Sequence, residues 1–128
     1  MGTKELGNQG EQLACEYLVE KGFIILGRNY RITFGEIDII AKKREQFLGK
    51  TQDIIHFVEV KSLATKASDF TPEQRVDYKK QRKLRQLAEI WLQKNKLPQT
   101  QPYQIDIISV TISPEVIIDF FENAVEDF

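Results

Sequence analysis

Two neighbouring stretches, Gly35-Glu36-Ile37-Asp38-Ile39-Ile40 and Ile54-Ile55-His56-Phe57-Val58-Glu59-Val60-Lys61-Ser62, decide how this chain reads. The second is apolar on both faces of an extended strand, with Ile55 and Phe57 on one and Val58 and Val60 on the other, so it belongs in the middle of a sheet. Glu59 and Lys61 project onto the Ile55/Phe57 face, roughly 6.6 Å apart along the strand. Removing a carboxylate and an ammonium from water costs several kcal/mol per ion, whereas an exposed pair returns only about 0.2–1. Unless the strand ends at Val60 and both groups are solvated, opposite charges on this face need a reason other than stability.

The first stretch repeats the anomaly, because Glu36 and Asp38 share a strand face with Ile40. The polar segment 43–53 reads as a hairpin loop that pairs the two strands antiparallel and brings Asp38 towards Glu59. Two carboxylates that close repel and raise one pKa unless a cation lies between them. An all-oxygen set suits Mg²⁺ or Mn²⁺ rather than zinc. Glu36 is the local rival of Asp38. His56, the single histidine, lies on the opposite strand face, so a packed or rim role is a better reading than zinc ligation or a Ser-His-Asp arrangement.

Working outward, residues 8–21 predict a helix with Gly10, Leu13, Ala14, Tyr17 and Leu18 at three- and four-residue spacing, Asn8 as cap and Gly22 as stop. Residues 23–33 predict a strand with a bulge or kink at Gly27. On the helix, Glu11 lies at the edge of the apolar stripe. It can lean over the sheet or serve as an ordinary first-turn carboxylate favoured by the helix dipole. After a polar loop over 63–70, Thr71-Pro72-Glu73-Gln74 has the form of a capping box, and Asp77 can cap a stronger helix over 78–94. Leu84, Leu87, Ala88 and Trp91 form its core stripe, with Arg82, Arg85, Gln86 and Gln93 projecting on the other side. Residues 104–112 and 115–121 predict two more strands. The fold class is therefore α/β, one domain over 1–128, with a central mixed β-sheet flanked by α-helices.

The composition is that of a globular chain: 128 residues, 41% hydrophobic and 10% aromatic. The lone Cys15 forms no internal disulfide, no apolar run approaches the roughly 20 residues a membrane-spanning helix needs, and no secretory signal is visible, so a cytoplasmic protein is expected. Net charge is −1, but it is strongly polarised. Residues 65–97 carry nine basic and four acidic side chains, and residues 98–128 carry six acidic and no basic ones. A concentrated basic segment fits a partner that meets one face, such as a phosphate backbone. Lys79, Lys80, Arg82, Lys83 and Arg85 can neutralise phosphates without reading sequence. Arg28, Asn29 and Arg31 extend the patch, while Tyr30 and Phe34 read as core or turn packing, with stacking on an unpaired base as the alternative.

Asp38, then Glu59-x-Lys61 on the next core strand, preceded by a helical Glu11, resembles the PD-(D/E)-x-K nuclease superfamily, most closely its Holliday-junction-resolvase-like branch. The string GNQGEQLACEYL, GFIILGRNYR, GEIDIIA, FVEVKS and a Lys/Arg-rich helix is similar to a widespread uncharacterised bacterial family of that branch, from about Gly7 to Ile108. The namesake Pro is replaced by Ile37. The resemblance implies a restriction-endonuclease-like (resolvase-like) fold. It further implies that Asp38, Glu59 and the Val60 carbonyl hold Mg²⁺ or Mn²⁺, that Lys61 orients or deprotonates the attacking water, and that Glu11 completes the site. Gln74 lies near a further polar position of some superfamily members. The expected function is metal-dependent cleavage or binding of DNA, branched DNA included. The rivals are a catalytically silent nucleic-acid-binding module in which Glu59 and Lys61 form a structural ion pair, and a protein-interaction domain using Phe120, Phe121 and Phe128. That aromatic end could equally form a homodimer, the common state of resolvase-like relatives.

Overall fold

A computed structural model describes residues 2–65 and 78–124. Helix α1 (Thr3–Glu20) is followed by strands β1 (Ile24–Ile32), β2 (Gly35–Phe47) and β3 (Lys50–Thr65), helix α2 (Tyr78–Lys94), and strands β4 (Tyr103–Ser113) and β5 (Ile117–Phe121). They form one five-stranded sheet in chain order, antiparallel except for the parallel β3–β4 pair. Parallel neighbours require a crossover, and α2 lies within it. The mixed sheet and its flanking helices are as the sequence predicts.

The strand apolar on both faces is central because it is covered twice. On one face Phe57 and Ile55 pack with Leu84, Leu87, Ala88 and Leu92 of α2; on the other Val58 packs with Ala14, Cys15 and Leu18 of α1. Gly22, at φ +96°, ends α1 as expected. Phe23 N–H donates to Leu18 O at 2.9 Å and Gly22 N–H to Val19 O at 3.0 Å, a Schellman closure that carries Phe23 into the core beside Leu18. The β1–β2 register shifts between Ile25 and Gly27, so the bulge predicted there is present.

Two expectations need correction. Asn8 does not cap α1: the helix begins at Thr3, behind Gly2, and Asn8 lies within it. Segment 43–53 is not a loop. Leu48 and Gly49 alone turn the chain, both at positive φ as a two-residue hairpin requires, and the ladder runs out to Phe47↔Lys50. The polar arm is held by cross-strand pairs such as Arg44–Asp53 at 3.2 Å. Of the C-terminal aromatics, half-buried Phe120 stacks edge-on against Tyr17 and Phe23, and half-buried Phe121 packs on the α2-side core. Phe128, Gln74, Asp77 and the capping box over 71–74 lie outside the described residues.

Candidate functional site

The site forms where β2 parts from β3. Their pairing begins at Ile39↔Val58, and immediately before it Ile37 packs on the α2 side while Ile39 packs on the α1 side. Two residues apart on a regular strand would face the same way, so β2 changes phase at Asp38. Opposite this point Asn29 adopts φ 52° in β1. Asp38 Oδ2 accepts the Val60 N–H at 2.8 Å, so a side chain satisfies an amide that faces away from a finished ladder.

Asp38 and Glu59 are hydrogen-bonded to each other. Burial, then the hydrogen bond and charge of Glu59, push the Asp38 carboxyl up to about 8, against the opposing effect of the Val60 N–H. Burial also disfavours ionised Glu59, but the Asp38 hydrogen bond, the Lys80 ammonium and Lys61 hold it below its usual range. Two buried carboxylates this close are disfavoured from ionising together, and the effect raises Asp38.

Glu11 reaches the pair from α1. An added Cβ at Gly10 would collide with Ser62 Oγ, so only glycine lets the helix approach β3 this closely. The Glu11 carboxyl is raised by burial, with Arg28 and an Asn29 hydrogen bond opposing and Glu36 and Glu59 reinforcing; its Oε1 is buried without a hydrogen-bond partner. Lys61, half-buried, follows Glu59 on β3.

A cleft of about 440 Å³ opens beside these groups, lined by Gly35, Glu36, Glu59, Lys79, Lys80 and Lys83 among others. Lys80 enters it: its Nζ lies 2.9 Å from Glu59 Oε2. Of the other basic residues, Lys79 and Lys83 also line the cleft. Arg82 and Lys83 are exposed, whereas half-buried Arg85 turns back to donate to Tyr103 Oη at 3.2 Å. Arg28 donates to Gln12 Oε1 at 2.9 Å. Arg31 pairs with Glu36 at 2.8 Å, both exposed, which engages Glu36 at the rim rather than with Asp38. Tyr30 packs on the core, but Phe34 is 44% exposed.

His56 is a packed residue, fully buried on the α1 side. Its Nδ1 lies 2.6 Å from Asp106 and its Nε2 2.9 Å from Glu45. Asp106, which the sequence did not single out, also accepts from Gln104 and the Asn123 N–H. Asn29 was read only as part of the basic patch and not as a partner of Glu11, and the inward turn of Lys80 was missed.

Two adjoining carboxylates and the unpartnered Glu11 oxygen are hard donors of the kind Mg²⁺ and Mn²⁺ take. Among the described residues no group of three or more His, Cys, Asp or Glu side chains is placed to hold a metal ion.

The model of "Uncharacterised protein family UPF0102" matches residues 10–110, a span that contains Glu11, Asp38, Glu59 and Lys61. The chain belongs to this family. UPF0102 relatives include a protein of Dictyoglomus turgidum, 41% identical over 116 residues (90% of this chain, 89% of that one). One of Thermotoga maritima is 42% identical over 115 residues (90% and 92%), and one of Campylobacter jejuni is 39% identical over 125 residues (96% and 97%). The UPF0102 match thus extends over nearly the whole length of each relative. No helix among the described residues is long and apolar enough to cross a membrane.

Proposed function

We propose that this protein is a metal-dependent endonuclease of the PD-(D/E)-x-K, Holliday-junction-resolvase-like kind, with a resolvase-like fold, acting on DNA in the cytoplasm. The observation that carries the reading is the meeting of Asp38 with buried Glu59 beside an open, lysine-lined cleft that Glu59 borders. Buried carboxylates disfavoured from ionising together make a poor stabilising element and a good cation site.

Asp38 and Glu59 would hold Mg²⁺ or Mn²⁺, with the Val60 peptide alongside. When bound, the metal supplies Lewis-acid polarisation of a phosphate oxygen and a lowered pKa for water. Lys61 orients the attacking water and offsets the charge that develops on the phosphate. Glu11 positions that water through its unpartnered Oε1. Lys79, Arg82 and Lys83 hold the strand electrostatically across the mouth.

The Lys80–Glu59 contact favours one rival, a silent nucleic-acid-binding module whose carboxylates are kept by an internal ion pair. Calorimetric titration with Mg²⁺ and Mn²⁺, beside cleavage assays on duplex, single-stranded and four-way DNA, separates the two. The nuclease reading expects metal uptake and metal-dependent cleavage that Lys61→Ala abolishes while leaving DNA affinity largely intact. DNA binding with no metal uptake and no cleavage overturns it.

A further inference from the structure

Lys80 belongs to the basic run of α2, yet its ammonium meets Glu59 Oε2 at 2.9 Å, on a carboxylate side chain only 10% exposed. It is the third residue of α2, so its flexible stem can swing without moving the helix. Its own side chain remains 44% exposed, and the cleft it borders has room for the swing. Lys79 and Lys83 line the same cleft. A cation in contact with Glu59 thus comes from a different element than Lys61, the lysine of the strand motif.

An ammonium paired with Glu59 Oε2 at 2.9 Å and a divalent ion coordinated by that oxygen at about 2.0–2.1 Å compete for the same oxygen. They also repel each other. We infer that Lys80 is a built-in competitor for the divalent cation: it holds Glu59 in the metal-free protein, is displaced when metal binds at Asp38 and Glu59, and then serves as a phosphate contact in the cleft. This rests on the metal-site reading proposed above and adds a coupling to it. A phosphate that draws Lys80 off Glu59 strengthens metal binding, and metal that expels Lys80 strengthens phosphate binding by the same factor, because linkage is reciprocal. Lys80 is therefore a positioning residue in one state and a binding residue in the other. Neither state requires the helix to shift.

The test is calorimetric titration of Mn²⁺ alone into the full chain and its variants, with no nucleic acid present. Lys80→Met should bind Mn²⁺ about tenfold more tightly than the parent protein, within the usual range of coupling between sites. Lys80→Arg, which keeps the cation and the reach, should restore an affinity close to that of the parent. Thermal denaturation in chelator supplies a second readout: Lys80→Met should lower Tm in the parent background and leave it unchanged in a Glu59→Gln background, where the ion pair is already gone. Equal Mn²⁺ affinity in parent and Lys80→Met overturns the competitor role and leaves the metal site standing. Absence of Mn²⁺ binding in parent and variants alike overturns the metal site, and the competitor with it.

Discussion

Asp38 accepts the Val60 N–H at 2.8 Å at the point where β2 leaves β3. The carboxylate thereby substitutes for a missing strand partner and is held over Glu59, so the structural bond and the candidate chemistry depend on the same two oxygens.

That double role separates two substitutions. Asp38→Ala leaves the Val60 N–H unsatisfied and should cost about 1–3 kcal/mol in urea denaturation. Asp38→Asn keeps an acceptor and should lose less. Both should lose Mn²⁺ binding. Equal stability of the two variants would mean that the Val60 bond contributes nothing to the fold.

The raised Asp38 carboxyl sets a pH dependence. Asp38 is raised from 3.8 to about 8, so its contribution to stability is fully present below about 4 and is lost as pH rises through about 8. Glu59 is lowered and works in the opposite sense, its contribution being lost as pH falls below its ordinary range. Between pH 5 and 8 the Asp38 effect outweighs that of Glu59, and Asp38 by itself should lower metal-free stability by at most about 1.4 kcal/mol per pH unit. Asp38→Asn should flatten that slope in denaturation curves collected across the range. Metal uptake should strengthen over the same interval, since the Asp38 proton must leave first.

The central strand and the Asp38/Glu59/Lys61 set were legible because a strand apolar on both faces has one place to go, and charges on it stand out. The arm 43–53 was not, because its sequence is almost wholly polar and carries no apolar alternation to distinguish a strand from a loop. Periodicity gave the outward face of α2 but not which long side chain folds back, which is why Lys80 was read with Arg82 rather than with Glu59. Nor does spacing reveal that His56 meets Asp106, fifty residues away; each is a lone polar group in an apolar strand, a signal without a partner attached.

That buried histidine carries its own prediction. Burial works against the charged imidazole, but the hydrogen bonds and charges of Asp106 and Glu45 outweigh it and raise the His56 pKa above 6.5. Its stabilising contribution is therefore full below about 6.5 and is lost as pH rises through the raised value. The imidazole resonances should titrate above 6.5 in NMR and shift downward in Glu45→Gln. Breaking the cluster with His56→Leu should cost about 3–5 kcal/mol, because Asp106 is left charged in the core. A His56 midpoint below 6.5 would reverse the sign of the whole argument.

The basic residues of α2 should divide by where their side chains go. Lys79, Arg82 and Lys83 are exposed, and Lys79 and Lys83 line the cleft. Arg85 lies against Tyr103, donating to its hydroxyl at 3.2 Å with the guanidinium 5.9 Å from the ring centroid. Phosphate neutralisation releases counterions, so DNA affinity should fall with salt at roughly 0.9 per contact on duplex. Replacing Lys79 and Arg82 by Gln should flatten that slope by about two units and weaken binding to all sequences alike. Arg85→Gln should leave the slope nearly unchanged and instead lower stability by about 1 kcal/mol, the size of a lost hydrogen bond. Filter binding or fluorescence anisotropy from low to moderate salt reads the slope directly. If Lys79→Gln/Arg82→Gln keeps the parent slope while Arg85→Gln flattens it, the strand lies against Tyr103 and not across the mouth of the Asp38–Glu59 cleft.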